Sequence, residues 1–91
     1  GIKKEGSFYI QMNFLDLHGY TLQDAYTETL EFLKDMYTQK EITVKVITGK
    51  GEIGREFPMW IEKNSYIKKY EPTNDGGCWY ITIADQYRPV M

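Results

Sequence analysis

Asp16 and His18 stand two residues apart in the run Leu15-Asp16-Leu17-His18-Gly19, which alternates apolar and polar residues as a β-strand does. Positions two apart project from the same face of a strand, so a carboxylate and the only imidazole in the chain share one surface. A carboxylate beside an imidazole can fix its tautomer and stabilise the imidazolium, which is the basis of acid–base catalysis. Further on comes Thr48-Gly49-Lys50-Gly51. A glycine-rich turn feeding a helix presents main-chain N–H groups to an anion, and Lys50 adds a full positive charge, so this run has the makings of a phosphate cradle. Each feature also has a bland explanation. His18 could be a structural residue at a strand end, Asp16 an acceptor for loop N–H groups, and Lys50 a solvated turn residue. Convergence of the two runs on one edge is what would turn them into a site.

With 91 residues and 10.7 kDa, the chain has room for one core. A 42% hydrophobic and 26% charged composition is ordinary for a globular domain and argues against disorder. Aromatic residues reach 15%, including eight Tyr, so large rings can fill a small core. Cys78 is alone, which excludes an internal disulfide, and a single His cannot build a His-rich zinc site. No metal ligand set is assigned. Eleven basic residues against 13 acidic ones give a net charge of −2, so any contact with a polyanion must use a local cationic patch. No apolar run approaches the ~20 residues of a membrane span, and no signal peptide is evident. A cytoplasmic setting, no membrane partner and a monomeric state are the expectations.

These candidate residues must be positioned by secondary structure. Asn13–Leu17 reads as a strand with Phe14 and Asp16 on one face and Leu15 and Leu17 on the other. Thr21 is an N-cap, with Asp24 in the capping-box position. Leu22, Ala25, Tyr26, Thr29, Leu30, Leu33, Met36 and Tyr37 then recur at helical spacing, and Lys40 supplies a cation to the last turn. Ile42–Thr48 is a β-branched strand. A second helix is expected over about Arg55–Lys63, with Pro58 in its first turn and Phe57, Trp60 and Ile61 as its apolar face. Tyr66–Glu71 and Cys78–Ala84 read as strands joined by the turn-rich Thr73–Gly77. The order β-α-β-α-β-β implies three strands running parallel and a closing antiparallel hairpin. The fold class is therefore α/β, a two-layer sandwich with a four-stranded mixed sheet and both helices on one face. The domain is expected over residues 13–84. Residues 1–12 form an N-terminal tail and packing segment, with a cut from a larger protein as one reading of its start, and residues 85–91 form a C-terminal tail. In such a sheet, the loops after the first two strands lie at one carboxyl edge, where ligands bind.

LDLHG, a Thr-capped helix and then Val46-Ile47-Thr48-Gly49-Lys50-Gly51 resemble the Smr (small MutS-related) domain. Arg55–Ile61 is similar to that family's second helix, and Gly76-Gly77 before the last strand also fits, so the resemblance spans roughly Phe14 to Ile83. It implies a fold like the C-terminal domain of the third bacterial translation initiation factor. It also implies nucleic-acid binding, often with endonuclease activity on DNA or RNA, in free-standing domains, in larger chains or in ribosome rescue. Carried over, its two motifs correspond to Asp16, His18 and Gly19, and to Thr48, Gly49, Lys50 and Gly51. Arg55 matches an Arg that the family usually has after a Leu, whereas Gly54 stands here in that Leu's place. The acidic pI of about 5.3 is a second departure.

The leading expectation is cleavage of phosphodiester bonds, of RNA before DNA, with Asp16, His18 and Lys50 catalytic and Gly19, Thr48, Gly49, Gly51, Arg55 and Lys45 binding nucleic acid. On RNA, His18 takes the proton from the 2′-hydroxyl while Asp16 orients its ring, and Lys50 and the loop amides hold the phosphate. No cofactor is required for this, although a divalent metal such as Mg would suit a water nucleophile on DNA. One rival is a binding module without catalysis, gripping RNA or DNA through its lysines and exposed rings. Another is a protein-interaction domain of a larger chain, docking through Phe8–Met12 or the tail Gln86–Met91.

Overall fold

Apolar residues at every second position build the sheet, and apolar residues at every third or fourth position build the helices that cover it. A computed structural model of the chain describes residues 12–85. The opening residues 1–11 and the tail 86–91, on which both expected interaction segments largely fall, lie outside the described residues. The elements are β1 (Phe14–Asp16), α1 (Leu22–Thr38), β2 (Thr43–Ile47), α2 (Glu52–Ile61), β3 (Ile67–Pro72) and β4 (Cys78–Ile83).

They form one four-stranded sheet in the order β1-β2-β4-β3. β1 and β2 pair in parallel, while β4 lies antiparallel to both β2 and β3. β3 therefore runs in the direction of β1 and β2, as the two helical crossovers require, but lies on the far side of β4. A register shift between Ile67 and Lys69 interrupts its pairing. The expected fold class is the one found.

One core lies between sheet and helices. Leu17, Val44, Val46, Ile81 and Ile83 meet Ala25, Leu33, Met36, Phe57 and Ile61, all of them buried. A line of rings runs through this layer. Tyr26 on α1 meets Trp60 at 5.5 Å between centroids, Trp60 meets Phe57 at 6.0 Å, and Phe57 meets Trp79 on β4 at 5.5 Å. Tyr70 on β3 closes the line at 5.9 Å from Trp79. Edge-on and tilted pairs of this kind add to the effect of burial alone.

α1 begins as expected, with the Thr21 hydroxyl accepting the N–H of Asp24 at 3.1 Å. Its end differs. Lys40 lies beyond the last turn in the left-handed region (φ 65°) and closes a Schellman motif. Its N–H donates to Tyr37 O at 3.1 Å, and the N–H of Glu41 donates to Met36 O at 3.0 Å. The last turn itself carries no basic residue. α2 departs further from expectation, because it starts at Glu52 and Pro58 is inside it rather than in its first turn. Its first helical hydrogen bond runs from Arg55 N to Gly51 O at 3.1 Å, and the chain continues past the proline to a bond from Glu62 N to Pro58 O at 3.0 Å. Pro58 has no N–H to offer the preceding turn, a cost that the burial of Phe57 and Ile61 offsets.

Candidate nucleic-acid site at the carboxyl edge

The β1 exit is built by three interactions. Leu17 extends the ladder by donating its N–H to Ile47 O at 2.8 Å, and its side chain is fully buried. Tyr20 N then donates to Leu17 O at 3.1 Å, closing a tight turn with Gly19 at its third position and φ 86°. A type II turn requires that positive φ, which explains the glycine. The Asp16 carboxylate also accepts the main-chain N–H of His18 at 3.0 Å. The hydrogen bond that Asp16 makes thus goes to the His18 backbone, where residue spacing alone points to the ring. His18 stands exposed at the corner of the turn.

The β2 exit lies beside it. Asp16 is in register with Ile47, so the residues that follow each strand leave the sheet on neighbouring strands, about 5 Å apart. His18 and the Thr48–Gly51 loop therefore share one edge. Thr48 is buried, and its hydroxyl donates to Gly49 O at 2.9 Å. The N–H groups of Thr48 and Gly49 both donate to Gly77 O, each at 3.0 Å. These two amides, expected to face a phosphate, instead weld the loop to the turn before β4. The donors left to an anion are those of the first turn of α2, which have no intrahelical partner and whose N-cap, Gly51, provides no side-chain bond. Lys50 and Arg55 are exposed beside them, as is Glu52.

Sequence reasoning placed neither Asp75 nor Gly77 in the site. Asp75 Oδ1 accepts the Thr73 hydroxyl at 2.7 Å and the Gly77 N–H at 3.0 Å, which shapes the turn that holds the loop. The Thr73 hydroxyl, the Gly77 N–H and the nearby Lys50 charge hold its carboxyl below the usual carboxylate range. The Asp-Gly-Gly run signals a turn, but only the fold brings it to Lys50. Gly54 has a similar explanation. A Cβ there would collide with the carbonyl oxygen of Gly49 and lie 3.2 Å from Thr48 Oγ1, so α2 can start this close to the loop only with glycine.

Lys45 does not join this edge. It sits mid-strand, paired with Phe14 on one side and Tyr80 on the other, on the sheet face opposite the helices. Lys68, elsewhere, approaches Asp85 at 3.7 Å. Among the described residues no three His, Cys, Asp or Glu side chains gather as a metal site, and no helix is long and apolar enough to cross a membrane.

The sequence model of the Smr domain family matches residues 15–82, which include both edge loops and the Gly76-Gly77 turn. No curated protein matches the chain. Among solved structures, the crystal structure of the Smr domain of Thermus thermophilus MutS2 aligns with 80% of this chain and 99% of its own, at 15% identity and a TM-score of 0.75. At that identity the likeness is one of fold.

Proposed function

The chain belongs to the Smr domain family, and on that footing we propose that it binds nucleic acid at the carboxyl edge and cleaves its phosphodiester backbone, RNA in preference to DNA. One observation carries this reading: the Asp16–Ile47 register, from which the His18 turn and the Lys50 loop emerge side by side. In its neutral form the His18 imidazole takes the proton of a ribose 2′-hydroxyl. The resulting oxyanion attacks the adjacent phosphorus, and the bond to the 5′-oxygen breaks, leaving a 2′,3′-cyclic phosphate. Lys50 and the first-turn amides of α2 stabilise the charge that develops on the non-bridging oxygens. The leaving oxygen is protonated by Lys50, by water or by a tyrosine such as Tyr20 in the same turn.

A second reading, binding without cleavage, draws support from the main-chain partner of Asp16: its carboxylate bonds the His18 N–H, and among the described residues no carboxylate hydrogen bond to the imidazole is seen. A parallel assay separates the two. Labelled single-stranded RNA and supercoiled DNA are incubated with wild type and His18→Ala, with and without chelator. Cleavage of RNA by wild type alone supports the proposal. Equal cutting by both proteins removes His18 from the chemistry, and retained binding with no products from either establishes the module.

A further inference from the structure

The face of the sheet turned away from the helices carries a row of side chains that the edge site does not use. Phe14 on β1 pairs with Lys45 on β2, Lys45 with Tyr80 on β4, and Tyr80 with Glu71 on β3. Directly paired residues share a face, so the row reads ring, cation, ring, carboxylate across the sheet. Phe14 is 59% exposed and Tyr80 37%. Two strand spacings put the rings about 10 Å apart.

The charges on this face decide what it can hold. Lys45 and Lys69 are opposed by Asp16 and Glu71, so the face is formally neutral. A duplex, bound mainly through its dense phosphates and with its bases hidden in the stack, gains little here. An unstacked strand offers what the face can use, base surfaces for the two rings and one phosphate for the lysine between them. Position points the same way. Phe14 lies two residues before Asp16 on the same face and four before His18, about 13 Å along the chain, so the row leads into the edge site.

We propose that this face, which no helix or strand among the described residues covers, is a stacking platform for single-stranded RNA, on which Phe14 and Tyr80 each take a base and Lys45 neutralises the phosphate between them. The inference rests on the reading of the chain as an RNA-binding domain and adds the strandedness of its substrate and the path that strand follows. It also accounts for a nucleic-acid-binding domain with an acidic pI, since stacking replaces much of the attraction that a basic surface would supply.

The test is fluorescence anisotropy of a labelled single-stranded RNA and of the same sequence in a duplex, with the whole chain carrying His18→Ala to prevent cutting. Phe14→Ala and Tyr80→Ala are each expected to weaken single-strand binding at least about five-fold, the scale of losing one stacked base. Tyr80→Phe keeps the ring and is expected to stay within about two-fold of its parent. The duplex is expected to bind more weakly than the single strand. Binding indifferent to both alanine changes but abolished by Lys50→Ala would overturn the platform and leave the edge reading intact. Ring-dependent binding, together with no products when the chain with His18 intact is incubated with the same single-stranded RNA, would sustain the platform and end the cleavage reading. Phe14-dependent self-association in light scattering, or a large loss of stability in Phe14→Ala with RNA affinity unchanged, would assign the face to protein contacts and refute the proposal.

Discussion

Asp16 holds His18 by its backbone: the carboxylate accepts the His18 N–H at 3.0 Å while Gly19 turns the chain in the left-handed region. This bond fixes the corner from which the imidazole projects and needs only an acceptor oxygen. Asp16→Asn, which keeps a carbonyl oxygen, is expected to retain most RNA cleavage, whereas Asp16→Ala loses it about ten-fold or more and destabilises the fold by about 1 kcal/mol. Equal losses in the two variants, measured as kcat/KM, would show that the negative charge itself is what matters.

The contact between Gly54 and the Gly49 carbonyl leaves no space for a side chain. Gly54→Ala is expected to cost about 1–3 kcal/mol in denaturant unfolding, because main chain must move to admit the methyl group. Gly77 acts through its own carbonyl, which any residue has, and a Cβ there meets nothing closer than 3.8 Å. Gly77→Ala should therefore stay within about 0.5 kcal/mol of wild type. The reverse order of effects would place the tight approach elsewhere.

Asp75 links the site to pH. Its folded-state pKa is depressed, chiefly by the Thr73 hydroxyl, so the stability it contributes is fully present above the unfolded value and lost as pH falls through the lower folded one. The window thus lies below about pH 4. Thermal unfolding of wild type and Asp75→Asn across that range is expected to show a shallower loss in the variant. Parallel curves would mean that Asp75 gains nothing from its turn.

Lys40 occupies a left-handed position that glycine fills more easily. Lys40→Gly is expected to raise stability by about 0.5–1 kcal/mol, since relief of the Cβ strain exceeds the added freedom of the unfolded chain. A loss in equilibrium unfolding would show that the Lys40 side chain makes a larger contribution than its backbone strain costs.

Much of this fold is legible in residue order. β2 announces itself through Thr43, Val44, Val46 and Ile47, and α1 through its Thr21 cap and the spacing of Ala25, Thr29, Leu33 and Met36. The start of α2 is not legible. Gly51 carries no capping side chain, and Pro58 draws the expected start three residues too far along the chain. Lys40 misleads in the same way, since its type suits a last turn while its backbone ends one. The bracing of Thr48 and Gly49 by Gly77 joins residues far apart in sequence, so only assembly of β2 beside β4 reveals it. Lys45 is a different case. Flanked by the inward Val44 and Val46, it lies on the open face by strand parity, which its charge alone does not disclose.

The central claim is that His18 and Lys50 act on the same phosphate. A double-mutant cycle on single-stranded RNA cleavage, with His18→Ala, Lys50→Ala and the pair combined, tests it most directly. Residues that work as one unit give a double variant about as impaired as the worse single one. Losses that multiply across the two substitutions, or cleavage indifferent to either, would contradict the account.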